Sequence, residues 1–222
     1  MMKVLVVAST EFEVKLFLKQ SQHLQTTKNI DLLISGIGIA ATVYHLTKEL
    51  SQNNYDLVIQ AGIAGSFTKR IKRGAVVFVK QDAFTSPGII EQNDYRTIAD
   101  VGLSDPNDFP FTDGVLSNNS RFDELKQLKS VNAVTVDIIT DDKKKNKLFR
   151  KKYNADIESM EGAALHYVCL QQKTQFLQLR SISNYVGERD KKKWKIKKAI
   201  RNLNNELSVL VEQYVKKEEN LK

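Results

Sequence analysis

The chain contains six short runs in which Val, Ile and Leu follow one another with few interruptions. Apolar runs without a polar residue at every second position are typical of strands that are covered on both faces. We therefore predict buried strands over residues 3–9, 30–36, 55–65, 74–84, 131–139 and 175–183.

Between these runs, apolar residues recur at spacings of three and four, which predicts helices. The helical segments cover residues 12–21, 38–50, 159–172 and 194–217. Strands that alternate with helices indicate an α/β fold with a mainly parallel sheet. No repeat or linker interrupts the pattern, so we expect a single domain over residues 1–217 and a frayed tail at 218–222.

Residues 85–113 lack clear periodicity and contain all three prolines of the chain. A long irregular segment in a compact domain is often functional. A packed surface loop is the alternative. Three aromatic side chains lie in or next to this segment: Phe84, Phe109 and Phe111.

The net charge of +8 raises the possibility of nucleic-acid binding. The basic residues are concentrated in two helical windows, 141–153 and 189–201, which carry net charges of +5 and +7, so the rest of the chain is slightly acidic. Solvated helix faces explain two such windows better than a nucleic-acid footprint does, so no nucleic-acid partner is expected.

Composition also bears on compartment and on metal binding. The only cysteine, Cys169, falls in an apolar helical pattern, which indicates packing and a reducing, cytoplasmic compartment. No stretch approaches the roughly 18 apolar residues of a membrane span, so no membrane partner is expected. His23, His45 and His166 lack metal-ligand spacing, so no metal is expected.

Two glycine turns follow predicted strands. GIGIAA (36–41) fits a dinucleotide signature weakly, but it follows the second strand, and Asp56 opens the next strand instead of ending it. AGIAGS (61–66) would let a flat ligand approach the backbone, and no lysine follows it in P-loop spacing. A tight turn explains Gly36 better than a nucleotide does, and no cofactor is expected.

Two carboxylates, Glu158 and Glu161, lie three residues apart in DIESMEGAAL (156–165). Acids at the start of a helix commonly cap it and complement its dipole. The alternative is that Glu161 accepts hydrogen bonds from a ribose diol while Met160 packs against the sugar face.

The ordered set of motifs resembles the nucleoside phosphorylase/nucleosidase superfamily. The motifs are VASTEFEV (7–14), SGIGIAA (35–41), VIQAGIAGS (58–66), ESMEGAA (158–164) and RSISN (180–184). This resemblance implies a single-domain α/β fold with a twisted mixed central sheet flanked by helices. It also implies cleavage of the N-glycosidic bond of a purine nucleoside, and a homo-oligomer, a dimer or larger.

The resemblance also implies that water rather than phosphate is the nucleophile. Gln60 stands where phosphorylases of the superfamily place an arginine, and acids replace their phosphate loop in the first turn. By the same resemblance, Glu13 activates the water and Arg180 helps to hold it, with Glu11 as the alternative base. One departure is Ile63, where adenine-type nucleosidases commonly have serine.

Asn184 occupies the position at which adenine-releasing nucleosidases carry an acidic aspartate. An asparagine amide can accept a hydrogen bond from a protonated N7 and donate one to a 6-oxo group, which favours hypoxanthine as the base. The segments ESMEGAA (158–164), RSISNYVG (180–187) with Trp194 after it, and LSDPNDFPF (103–111) resemble the futalosine hydrolase family. The resemblance implies further substrate contacts from Ala64, Gly65, Ile139 and Ser183. Phe84, together with Phe109 and Phe111, is expected to cover an aromatic extension of such a substrate.

Overall fold

The computed structural model describes residues 2–20, 29–120, 122 and 125–219. The strands are Val4–Ala8 (β1), Ile30–Ile34 (β2), Leu57–Ser66 (β3), Val76–Asp82 (β4), Gly88–Glu91 (β5), Asp94–Thr97 (β6), Leu116–Ser117 (β7), Lys129–Thr135 (β8), Ile157–Ser159 (β9) and Phe176–Tyr185 (β10). The helices are Glu11–Gln20 (α1), Ile39–Gln52 (α2), Lys143–Tyr153 (α3), Gly162–Gln171 (α4) and Ile196–Glu219 (α5).

One mixed sheet organises the domain, in the order β10-β4-β8-β9-β3-β1-β2, with β7 at the side of β4. β1 pairs in parallel with β2 and β3, whereas β10–β4 and β3–β9 are antiparallel. β10 also pairs in parallel with β3, so β3, β10, β4, β8 and β9 form a closed ring. The α/β class with a mixed, helix-flanked sheet is confirmed.

The residues of β1 show why the central strands are continuously apolar. All five are buried, and alternate side chains face opposite layers. One side packs against α1 and α5, and the other packs against α2 and α4. Both faces of the strand are therefore covered by helices, as the apolar run predicts.

The segment 85–113 contains more regular structure than its sequence predicts. β5 and β6 form an antiparallel hairpin whose turn residues, Gln92 and Asn93, have φ angles of 51° and 64°. Two consecutive left-handed residues are typical of a two-residue hairpin turn. The expectation of an irregular loop is therefore wrong for residues 88–97.

Several boundaries also differ from the predicted ones; β8, for example, ends at Thr135 rather than at residue 139. Residues 159–161 are not helical, because Ser159 ends the short strand β9 and α4 begins at Gly162. α5 continues past Lys217 to Glu219, and residues 220–222 of the expected frayed tail lie outside the described residues, as does Ser21 of the predicted first helix. Within the part of the chain that is described, no helix is both long and apolar enough to cross a membrane.

Candidate active site

A cavity of about 260 Å³ lies where β1, β3 and β10 end. Parallel strands that end together place the first residues of their following turns around one opening. The lining residues are Ser9, Thr10, Phe12, Glu13, Ile37, Ile63, Ala64, Gly65, Ile139, Glu158, Met160, Glu161, Ser183, Asn184 and Trp194.

The structure brings most of the predicted site residues to this cavity. Those that line it are Glu13, Ala64, Gly65, Ile139, Met160, Glu161, Ser183 and Asn184. Arg180 is fully buried directly behind the lining, and Phe84 lies elsewhere.

Glu13 is held in the first turn of α1, directly after β1. Its Oε1 accepts a hydrogen bond from the backbone N–H of Ile63 at 3.0 Å, and its Oε2 accepts from the N–H and Oγ1 of Thr10, both at 3.3 Å. Burial raises the pKa of Glu13, while the Ile63 N–H and the charge of Arg180 oppose that rise. Glu11 is exposed and does not line the cavity, so the geometry favours Glu13 as the base.

Asn204 of α5 fixes the backbone of α1 at Glu13. Its Nδ2 donates to the carbonyl oxygen of Glu13 at 2.7 Å, and its Oδ1 accepts from the N–H of Phe17 at 2.7 Å. The amide therefore stands between a carbonyl and the N–H four residues later, which would otherwise bond to each other. Sequence reasoning missed Asn204 because it lies 191 residues from Glu13.

Arg180 approaches Glu13 through the space that Gly62 leaves. A Cβ on Gly62 would lie 2.1 Å from Arg180 Nη1 and 3.2 Å from Glu13 Oε1, so a side chain there would displace the guanidinium. Arg180 Nη2 donates to Gln60 Oε1 at 2.5 Å, and Nη1 lies 3.9 Å from Glu161 Oε2. The side chain of Gln60 therefore binds the Arg180 guanidinium at the back of the site.

Glu161 stands at the N-cap position of α4, but its carboxylate does not cap that helix. Its Oε1 accepts from the backbone N–H of Gly38 at 3.0 Å, which ties α4 to the glycine turn before α2. The first N–H groups of α4 are satisfied instead by Ser159 Oγ and Thr135 Oγ1. The capping alternative is therefore wrong for the side chain of Glu161.

A bulge in β10 aims Asn184 into the cavity. Ile182 lies opposite Ala64 and Asn184 lies opposite Gly65, so Ser183 is the extra residue. Asn184 Oδ1 accepts from Ser183 Oγ at 2.7 Å, and its Nδ2 donates to the carbonyl oxygen of Tyr185 at 3.2 Å. One lone pair and one N–H of the amide remain available to a ligand.

Comparison with known proteins shows the family of this chain. The profile of the Phosphorylase superfamily matches residues 4–216. The chain belongs to this superfamily.

Individual members of the superfamily are moderately similar. Futalosine hydrolase of Thermus thermophilus is 26% identical over 171 residues, which cover 76% of this chain and 75% of that protein. The 5′-methylthioadenosine/S-adenosylhomocysteine nucleosidase of Colwellia psychrerythraea is 27% identical over 169 residues, covering 72% and 68%. The native structure of futalosine hydrolase of Helicobacter pylori has a TM-score of 0.79 at 17% identity, covering 96% and 98%, which shows the shared fold.

Phe84 is the predicted site residue that the structure does not bring to the cavity. Its ring packs edge-on against Phe111 and Tyr167, with centroids 6.4 and 6.2 Å away. It lines a separate cavity of about 210 Å³ beneath the segment 85–113. Its sequence position directly after β4 gave no signal of which cavity it would face.

The structure adds several lining residues that motif reasoning did not assign to the substrate. Phe12 and Ile37 are exposed apolar side chains at the mouth, and Trp194 is held by a hydrogen bond from its Nε1 to the carbonyl oxygen of Glu188 at 2.7 Å. Ser9, Thr10, Ile63 and Glu158 complete the set. The sequence signal that could have identified these lining residues is their position next to predicted site residues.

The histidines have structural partners. His45 Nδ1 lies 2.9 Å from the carbonyl oxygen of Ser35, and His166 Nδ1 lies 3.0 Å from that of Leu116. His23 lies outside the described residues. Among the residues that are described, no group of three His, Cys, Asp or Glu side chains could hold a metal ion.

Proposed function

We propose that this chain hydrolyses the N-glycosidic bond of futalosine and releases hypoxanthine and dehypoxanthine futalosine. The observation that carries the proposal is a cavity that joins a buried glutamate, Glu13, to a strand-ending amide, Asn184. Glu13 supplies a base for water, and Asn184 supplies the hydrogen-bonding pattern of a 6-oxopurine.

The charge of the cavity supports water rather than phosphate as the nucleophile. Three acidic side chains line it, those of Glu13, Glu158 and Glu161, and among the described residues no lysine or arginine does. Arg180 lies buried behind the lining, and its Nη2 is already bound by Gln60. A phosphate dianion would be repelled here, whereas a water molecule would be polarised.

Glu13 would act as the general base. Its raised pKa makes the carboxylate a better proton acceptor than an ordinary exposed glutamate, and Arg180 keeps it available in the ionised form. Thr10 and Ile63 fix both carboxylate oxygens in place. The water then attacks C1′ as its proton passes to Glu13, and the glycosidic bond breaks through an oxocarbenium-like transition state.

Glu161 and Met160 would bind the ribose. Glu161 lines the cavity, its Oε1 is held by Gly38, and its Oε2 lies 3.9 Å from Arg180 Nη1. A carboxylate fixed in this way can accept hydrogen bonds from a vicinal diol, while Met160 supplies an apolar contact to the sugar face. The backbone of Ala64 and Gly65 and the side chain of Ile139 then border the base.

Similarity to the futalosine hydrolase of Thermus thermophilus supports the substrate. The proposal includes a place for this reaction in the alternative menaquinone pathway. An adenine nucleosidase is the second candidate, because the methylthioadenosine/S-adenosylhomocysteine nucleosidase of Colwellia psychrerythraea is similarly related, at 27% identity. Asn184 separates the two candidates, since its free N–H pairs with a 6-oxo group and opposes a 6-amino group.

A substrate panel tests the proposal. Futalosine, inosine and methylthioadenosine are incubated separately with the enzyme, and free purines are quantified by chromatography. We expect hypoxanthine from futalosine at the highest kcat/KM. Faster release of adenine from methylthioadenosine would replace the proposal with the second candidate.

The proposal includes a homo-oligomer in the cytoplasm with no nucleic-acid partner. Phe12, Ile37 and Tyr44 are 61%, 64% and 61% exposed, and two of them line the cavity mouth, which favours an association surface beside the site. Light scattering on the purified chain distinguishes a dimer or larger assembly from a monomer.

A further inference from the structure

Glu158 is a buried acidic residue that has no role in the proposed binding or hydrolysis of the substrate. It lines the cavity and is only 6% exposed. Within the described part of the chain its carboxyl group accepts no hydrogen bond, and the opposite charge that acts on it is that of Arg189. A buried polar group without a partner is costly, so its retention in a cavity indicates a ligand.

The position of Glu158 relative to Asn184 indicates which part of a ligand it would meet. Glu158 lies in β9 opposite Gly65 of β3. A Cβ on Gly65 would lie 3.3 Å from Glu158 Cγ and 3.4 Å from Asn184 Nδ2. Both side chains therefore border the same glycine, and one planar base lying against it can contact both.

The proposed reaction lacks a proton donor for the leaving group. When the glycosidic bond breaks, its electron pair passes into the purine ring, and the departing base gains negative charge. Asn184 can orient a protonated N7 but has no acidic proton to give. Glu13 receives a proton in the same step, and Glu161 is bound to Gly38 and faces Arg180.

We propose, on the basis of the function proposed above, that Glu158 in its carboxylic acid form is the general acid that protonates the departing purine. The water oxygen bonds to C1′ while its proton moves to Glu13, and the bond from C1′ to N9 breaks. N7 takes the proton of Glu158, which becomes a carboxylate. Asn184 then accepts a hydrogen bond from N7–H, and exchange with solvent restores both glutamates after release.

The electrostatics of the position agree with this role. Burial raises the pKa of Glu158 to about 7, and the charge of Arg189 limits that rise. The other titratable side chains of the cavity are Glu13 and Glu161. A carboxyl group that keeps its proton near neutral pH opposite an ionisable base is the arrangement of glycosidases that use water directly.

Leaving-group chemistry provides the test. The variants are Glu158→Gln, Glu158→Asp and, as a control on an exposed strand, Glu91→Gln, and each is compared with wild type by thermal melting to confirm folding. The substrates are the best-cleaved purine nucleoside of the panel and p-nitrophenyl β-D-ribofuranoside, whose leaving group departs without a proton.

The expected result is a substrate-dependent loss. Glu158→Gln should lower kcat/KM for the purine nucleoside by about 100-fold or more and leave p-nitrophenolate release nearly unchanged. Glu158→Asp should retain more purine release than Glu158→Gln. The fall in wild-type kcat/KM above about pH 7 should also be absent in Glu158→Gln.

Equal losses on both substrates would overturn the acid role and would fit a ribose contact instead, because the two substrates share the sugar. If the enzyme cleaves another purine nucleoside but not futalosine, the result contradicts futalosine as the substrate and not Glu158 as the acid. The role of Glu158 is then tested on that nucleoside. Cleavage of no purine nucleoside by wild type would contradict both proposals together.

Discussion

Replacement of Asn184 by aspartate changes how the cavity reads the base while conserving the size of the side chain. In the wild type, the Ser183 hydroxyl donates to Asn184 Oδ1 at 2.7 Å, and in the variant it can donate to the corresponding carboxylate oxygen. The second carboxylate oxygen of the variant replaces Nδ2, which in the wild type donates to the carbonyl oxygen of Tyr185 at 3.2 Å. Two acceptors would then face each other at a position that is only 8% exposed.

The magnitude follows from the hydrogen bonds that are lost. The variant cannot donate an amide N–H to a 6-oxo group, and leaving a buried acceptor unpaired costs about 1–3 kcal/mol. Since about 1.4 kcal/mol corresponds to a factor of ten, kcat/KM for futalosine should fall by roughly 5- to 150-fold. An adenine nucleoside presents a donor at the same place, so its relative kcat/KM should rise.

The assay measures kcat/KM for futalosine and methylthioadenosine with wild type, Asn184→Asp and a matched control. Asn118→Asp is the control, because Asn118 is also 8% exposed and its Nδ2 also donates to a backbone carbonyl, that of Phe176, away from the cavity. The control should lose stability without a change in base preference. An unchanged preference in Asn184→Asp would refute the reasoning and show that the base is read elsewhere.

Three further outcomes are expected. Gly62→Ala should displace the Arg180 guanidinium, lower the melting temperature through about 1–3 kcal/mol of overpacking and reduce kcat, as measured by calorimetry and kinetics. Asn204→Ala should cost about 1–3 kcal/mol of stability and lower kcat more than it changes KM, because the Glu13 backbone loses its support. The free energy of unfolding of Glu158→Gln, measured by denaturant titration, should exceed that of wild type by up to about 3 kcal/mol at pH 8. At pH 4 this gain should be absent. The folded-state pKa of Glu158 is raised to about 7, so wild-type stability is lost as pH rises through that value; an equal difference at both pH values would contradict the assigned burial of its charge.

Residue pattern predicted the central strands because they are covered on both faces, which produces uninterrupted apolar runs. It predicted a mainly parallel sheet but could not identify the antiparallel pairs, since the same run suits a parallel or an antiparallel neighbour. The antiparallel β10–β4 and β3–β9 pairs close the ring, and they depend on contacts distant in sequence. β9 was missed because three residues are too few to show a period.

The candidate site was predictable where polar residues lie near the end of a buried strand. Glu13 and Asn184 both stand at such positions, and the structure brings them to one cavity. Asn204 and Gly62 act through packing against distant residues, which spacing along the chain cannot reveal. Phe84 also follows a strand, but its ring turns into the aromatic cluster beneath the segment 85–113.

The most direct measurement is hypoxanthine release from futalosine in phosphate-free buffer by wild type, Glu13→Gln and Glu11→Gln. We expect full activity of wild type without phosphate and no acceleration when phosphate is added. Glu13→Gln should lose about 10²- to 10⁴-fold in kcat, and the exposed neighbour variant Glu11→Gln should retain wild-type turnover. A requirement for phosphate, or equal activity of Glu13→Gln and wild type, would contradict a water-activating Glu13.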